Sequence, residues 1–133
     1  MRWTTILALL GLVLFATGCA EDDEKIELAG GTVKYDVVST GTDPATGATC
    51  TADIVYLIDT GAVVEAKGHI SPFTHSFVIP AGERAVYNLY ISGRNVCAEP
   101  TSTVTATIFV DDVLQSSSNG AGNYAWASAT GTF

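Results

Sequence analysis

The chain has 133 residues, of which 47% are hydrophobic, and a formal net charge of −8 at pH 7. That length suits one domain and is enough to bury a real core. With 6 Lys and Arg against 14 Asp and Glu, the chain is a poor candidate for nucleic-acid binding, because that affinity comes largely from cations that neutralise phosphates.

The N-terminal residues have the pattern of a secretory signal peptide. Arg2 supplies a positive charge, an apolar run extends from Ile6 to Ala16, and small residues precede Cys19. The run is shorter than the roughly 20 residues that cross a bilayer as a helix. We therefore expect residues 1–18 to be removed on export.

The end of this segment, Ala16-Thr17-Gly18-Cys19, resembles the lipobox of bacterial lipoproteins, with Ala16 in the position where Leu is usual. The resemblance implies cleavage before Cys19 and a thioether-linked diacylglycerol on its sulfur. Two or three acyl chains would hold the protein firmly, since each buried CH₂ contributes about 0.8 kcal/mol. The predicted location is the cell envelope, most simply the outer membrane, on its periplasmic or cell-surface face.

An acidic tether is expected to follow the lipidated cysteine, over residues 19–30. Its sequence AEDDEKIE is too charged to pack and resembles the acidic export signal of surface lipoproteins in Bacteroidetes. Loss of residues 1–18 removes Arg2 and no acid, so the net charge of the mature chain becomes −9. Anionic headgroups would repel such a domain, which leaves the lipid as the expected membrane contact.

Two further cysteines, Cys50 and Cys97, remain in the mature chain. In an exported protein an even pair indicates a disulfide. Two cysteines without CxxC spacing and two separated histidines make a poor zinc site. We expect a Cys50–Cys97 bridge, no metal and no cofactor.

Residues 31–133 carry the pattern of an all-β domain. Alternation of Val, Ile, Thr and aromatic residues with polar ones predicts strands, over 33–37, 54–58, 73–79, 85–91, 101–110 and 124–128. Turn chemistry lies between them, at 41–47, 59–61, 80–83, 92–95 and 117–123. Asp111-Asp112 predicts a two-residue type I′ hairpin. The spacing favours an Ig-like antiparallel β-sandwich of about seven strands.

The same region is similar to MmpS-like envelope proteins. The matching features are the strands around Val33–Tyr35 and Ile54–Tyr56, the Ile108-x-Val110-Asp111 strand end, and Gly122-x-Tyr124-Ala125. The resemblance implies a small sandwich on the outer side of a membrane and a role beside a large lipid exporter. Mycobacterial members of that family span the membrane at their N-terminus, whereas this chain has a predicted lipid anchor. The resemblance therefore supports the family's fold for this chain more than the family's transport role.

Catalytic and metal-binding patterns are sparse. Asp59-Thr60-Gly61 resembles the active-site stretch of dimeric aspartic proteases, and the segment that contains Gly93 resembles a later part of that fold. The interval from Asp59 to Gly93 is, however, too short for the flap and intervening strands of such an enzyme. Asp-Thr-Gly is also ordinary turn chemistry after a strand. His69 and His75 are expected on an exposed loop, and Asp43, Asp111 and Asp112 lack calcium-loop spacing. Tyr124 and Trp126 either line a binding face or, as we expect, belong to the core.

The sequence therefore predicts a non-enzymatic envelope lipoprotein that binds or scaffolds an unknown ligand. An accessory subunit of an exporter is the alternative, and a protease acting through Asp59 is a remote one.

Overall fold

The computed structural model describes residues 29–82 and 86–133, and these form two four-stranded antiparallel sheets without a helix. The strands are β1 Gly31–Thr40, β2 Thr51–Leu57, β3 Val63–Ile70, β4 Phe73–Ile79, β5 Asn88–Asn95, β6 Thr103–Val110, β7 Val113–Ala121 and β8 Trp126–Thr132. One sheet has the order β4-β1-β6-β7 and the other β3-β2-β5-β8. The predicted β-sandwich is confirmed, with eight strands rather than about seven.

The core lies between the sheets and is built mainly by buried residues of β1, β2, β4, β5, β6 and β8. On β1, for example, Val33, Tyr35 and Val37 are buried while their neighbours are not. The predicted hairpin is also confirmed: Val110 pairs with Val113, and Asp111 and Asp112 have φ of 49° and 62°. Both positive values are what a type I′ turn requires.

The two sides of the core differ in thickness. Towards the β3 and β4 edges, aromatic rings fill the space: Tyr56 lies 5.4 Å from Phe73 and 4.7 Å from His75, centroid to centroid. Towards β7 and β8 the interior residues are small, with Ala127 1% exposed. A Cβ on Gly120 would collide with the backbone carbonyl of Trp126. The sandwich is therefore a wedge, in which the two sheets approach most closely where β7 meets β8.

Two predicted turns are strands instead, and one strand is absent from the sequence prediction. The segment 92–95 is not a turn but the end of β5, where Gly93 is required because a Cβ there would lie 2.5 Å from a methyl carbon of Val37. Most of 117–123 belongs to β7, whose small residues allow it to approach β8. Strand β3 was not predicted, since it is an edge strand whose mostly exposed residues alternate weakly.

Candidate binding surface

The two ends of the sandwich differ in what they carry. We call the end at which β1 begins the proximal end. There the N–H of Thr32 donates to the Asp111 carboxylate at 2.8 Å. The last residue, Phe133, also lies there, next to Gly31. We call the opposite end, where β1 ends, the distal end. There the Asn95 side-chain amide donates to the carbonyl of Thr40, with a distance of 3.1 Å. Cys19 and most of the expected tether lie outside the described residues.

The Cys50–Cys97 disulfide forms at the distal end, as predicted. Ala52 pairs with Asn95, so the cysteines, two residues beyond on each strand, oppose one another with Cα atoms 5.6 Å apart. Asn95 accepts a hydrogen bond from the N–H of Cys97 at 2.9 Å. The bridge therefore joins the ends of two neighbouring central strands of one sheet.

Tyr124 and Trp126 are on the outside, which corrects the expectation that they belong to the core. Their side chains are 48% and 57% exposed, whereas Ala125 and Ala127, which alternate with them, are 3% and 1% exposed. The wedge is too narrow at β7 and β8 for aromatic rings, so the small residues face inward. Tyr124 and Trp126 consequently project from the outer face of the β3-β2-β5-β8 sheet at its distal end.

The backbone of Tyr124 is strained. Its φ is 51°, in the left-handed region that glycine and asparagine adopt more readily. A bulky residue there costs about 1–2 kcal/mol. Two hydrogen bonds hold the turn: Tyr124 N–H donates to the carbonyl of Cys97 at 3.0 Å, and Ala125 N–H donates to that of Gly122 at 3.0 Å. An exposed ring on a strained residue is more typical of a functional position than of a structural one.

Charged side chains border the two rings. Arg94 pairs with Trp126 across β5 and β8, and its guanidinium carbon lies 5.7 Å from the centre of the Tyr124 ring. Asp53 is the next residue across the sheet from Arg94. Its carboxylate accepts a hydrogen bond from Gly68 N–H at 3.0 Å, where β3 has a bulge. We call Tyr124, Trp126, Arg94 and Asp53 the aromatic face.

An open groove continues the same sheet face towards the proximal end. Its volume is about 430 Å³, and Tyr90, Leu57 and Thr130 line it. Tyr90 and Leu57 are half-buried, so each presents part of its surface to solvent. Tyr90 pairs with Thr130, four residues beyond Trp126 on β8. The aromatic face and this groove therefore form one continuous strip along β8.

The other tyrosines named by the sequence pattern are structural. Tyr35 is fully buried, and its hydroxyl oxygen accepts a hydrogen bond from the backbone N–H of Tyr90 at 3.4 Å, across the two sheets. Burial raises the pKa of Tyr35 above the usual tyrosine value. Tyr87 exchanges backbone hydrogen bonds with Phe133 and fixes the C-terminus.

The acidic residues considered from sequence lie apart from one another. Asp59 is exposed in the β2–β3 turn, where Gly61 N–H donates to the Ile58 carbonyl. Asp43 accepts hydrogen bonds from Ala45 N–H at 2.9 Å and the Thr46 hydroxyl at 3.0 Å, and so organises its own loop.

The two histidines are on strands rather than on the expected exposed loop. His69 is an exposed residue of β3, 5.2 Å from the Phe73 ring, and His75 is half-buried on β4 against Tyr56. Across residues 29–82 and 86–133, no three His, Cys, Asp or Glu side chains cluster as metal ligands would.

Comparisons with known proteins add no relative. Models of known protein families give no match to the chain, and neither do the curated proteins. The resemblance to MmpS-like proteins therefore stays a prediction from sequence pattern. In the part of the chain that the structure describes, no helix is long and apolar enough to cross a membrane.

Sequence reasoning missed two members of the aromatic face, Arg94 and Asp53. Arg94 was assigned to a turn, and Asp53 was one polar residue among many on a strand. The signal that was present is the alternation at 124–128, which separates two aromatic residues from two alanines.

Proposed function

We propose that the chain is a lipid-anchored envelope protein whose β-sandwich is a non-enzymatic binding module. The aromatic face carries this proposal. Trp126 is 57% exposed and Tyr124 48% exposed, and Trp, Tyr and Arg are the residues most enriched among those that contribute most to binding at protein interfaces. A solvent-exposed cluster of all three residue types favours a binding role, since removal of the rings from water by a ligand is energetically favourable.

The membrane anchor is proposed from Cys19 and the apolar run before it. The acyl chains would have to overcome the charge of the mature chain, −9 once Arg2 is removed with residues 1–18. Chain length sets how far the domain stands from the bilayer: residues 19–30 span at most about 40 Å when fully extended.

The position of the aromatic face agrees with an anchored module. The tether joins the proximal end at Gly31, whereas Tyr124 and Trp126 lie at the distal end. Ten residues of β1 separate the two ends, which is about 30 Å in a strand. A ligand could therefore reach the aromatic face from the side of the domain that points away from the membrane.

The anchor is tested by fractionating cells that express wild type or Cys19→Ser. We expect wild type in the membrane pellet and labelled by an alkyne fatty acid, and the variant unlabelled and released. A Cys50→Ala/Cys97→Ala chain is the matched control, because it removes two sulfurs and keeps Cys19. Full retention of Cys19→Ser in the membrane would contradict the anchor.

The binding role is tested by placing the photo-crosslinker benzoylphenylalanine at position 126 in living cells. Leu114 is the matched control position, since it is also 57% exposed but lies on the other sheet. We expect adducts from position 126 and few from position 114. Equal or absent adducts at both positions, in a chain that is still folded, would argue against a ligand at the aromatic face.

A further inference from the structure

We infer that the ligand of the aromatic face is an uncharged glycan chain that lies along β8. This inference rests on the binding role proposed above and names the class of its ligand. A pyranose ring has a face of C–H groups and a rim of hydroxyls. The aromatic face offers a partner for each part.

The two rings match the C–H face of a sugar. The face of an aromatic ring is electron-rich and attracts the weakly positive hydrogens of C–H groups. Arg94 pairs with Trp126, and its guanidinium carbon lies 5.7 Å from the centre of the Tyr124 ring, so both rings lie beside Arg94. Two exposed rings beside one another can each stack on a sugar of the same chain.

The charged neighbours match the hydroxyl rim. Arg94 presents a fork of N–H donors, and Asp53 presents carboxylate acceptors, on adjacent strands beside Trp126. A donor fork and a carboxylate can each bond two adjacent hydroxyl groups, and hydrogen bonds to charged groups are the stronger kind. Because hydroxyls both donate and accept, one sugar can satisfy Arg94 and Asp53 together.

The charge of the domain argues against an anionic ligand. A mature chain with five cations against 14 acids would repel a polyanion such as a nucleic acid or a polyuronate. Arg94 lies beside Asp53, so the aromatic face itself offers one positive and one negative group. A neutral glycan is not subject to this repulsion.

The polar surroundings favour a glycan over a protein surface. Ser128 and Thr130 follow Trp126 on the same side of β8, where Ser128 is half-buried and Thr130 exposed. Ser92, the partner of Ser128 on β5, is buried. Asp and Ser are depleted from protein interfaces, whereas Arg is enriched there. Hydroxyl side chains beside exposed rings suit a ligand that is itself covered in hydroxyls.

The groove at Tyr90 indicates a chain of several sugars. Tyr90 pairs with Thr130, four residues from Trp126, which is about 13 Å along the strand. Between Trp126 and the groove of about 430 Å³, Ser128 is half-buried and Thr130 is exposed on the same side of β8. An extended oligosaccharide can therefore contact all three aromatic residues at once, whereas one sugar can contact only part of the strip.

The test uses the mature lipid-anchored protein, without residues 1–18, in a polyoxyethylene detergent, since a sugar-headed detergent would compete for the site. The protein is depleted on insoluble cellulose, chitin, xylan and mannan, and titrated with the corresponding soluble hexasaccharides. Trp3 and Trp126 are the two tryptophans of the chain, and the proposed cleavage leaves Trp126 alone. Its fluorescence therefore reports directly on stacking.

Three substitutions and one control define the expected result. Trp126→Ala and Tyr124→Asn should each weaken binding at least about tenfold, or 1.4 kcal/mol. Asparagine is chosen because it tolerates φ of 51° and so keeps the turn. Arg94→Lys keeps the charge but loses the fork, and should weaken binding less. Leu114→Ala, equally exposed on the other sheet, should change it less than about twofold.

Binding to at least one polysaccharide that is lost in Trp126→Ala, with a shift in Trp126 emission, supports the inference. Retention by none of the four, or retention that Trp126→Ala leaves unchanged, overturns it. A crosslink from position 126 that contains only protein also overturns it, and the binding role proposed above then stands. If neither sugar nor crosslink is found, both proposals fail.

Discussion

The Cys50–Cys97 bridge should supply a large part of the stability of the fold. It closes a loop with a sequence separation of 47 residues. In the chain-entropy model, removal of such a crosslink stabilises the unfolded state by about 4 kcal/mol at 25 °C. Since small domains are stable by about 5–15 kcal/mol, we expect Cys50→Ala/Cys97→Ala to lose at least about a quarter of the stability.

Alanine is the appropriate replacement because Cys50 is 0% and Cys97 9% exposed. A buried serine hydroxyl would add a desolvation cost of about 1–3 kcal/mol if it found no partner, and would confuse the result. Alanine leaves a small space instead, so the entropic effect of the bridge dominates the measured difference.

The measurement is urea unfolding followed by circular dichroism, with thermal melts alongside. The double variant should unfold at lower urea, with a melting temperature lower by about 15–30 °C. Wild type, unfolded in the presence of a reductant, is the control and should match the variant. A difference from oxidised wild type below about 1 kcal/mol would refute the reasoning, since the unfolded chain would then gain little freedom from losing the bridge.

Three further substitutions test other parts of the fold. The raised pKa of Tyr35 means that the folded state favours the neutral phenol, so its contribution to stability is complete below the usual value of 10.0 and is lost as pH rises through the higher folded pKa. From about pH 9 to 11, the free energy of unfolding should therefore fall less steeply for Tyr35→Phe than for wild type. Equal slopes would exclude this cause. Asp112→Gly, at φ 62°, should stabilise the hairpin by about 0.5–1 kcal/mol in urea unfolding, and a loss would show that the side chain contributes more than its backbone strain costs. Gly120→Ala should destabilise by about 1–3 kcal/mol, because its Cβ meets the Trp126 carbonyl, and an unchanged midpoint would show that β7 and β8 can separate without cost.

The sequence alone determined the features that depend on local chemistry. Alternation at Val33, Tyr35 and Val37 predicted a strand buried on one side, and that is observed. Asp111-Asp112 between apolar flanks predicted the type I′ turn, since few residues adopt positive φ there. Two cysteines in a chain with a predicted signal peptide predicted the bridge without knowledge of the fold.

Only the tertiary structure decided which side of a strand faces the core. Period-two alternation separates Tyr124 and Trp126 from Ala125 and Ala127 but does not say which set is inside. Hydrophobicity favours the aromatic residues, and the expectation that they belong to the core followed from it. Packing reverses the outcome, because β7 approaches β8 so closely at Gly120 that only small side chains fit between the sheets. The candidate surface exists because β7 and β8, which belong to different sheets, approach so closely that they leave no room for the rings inside.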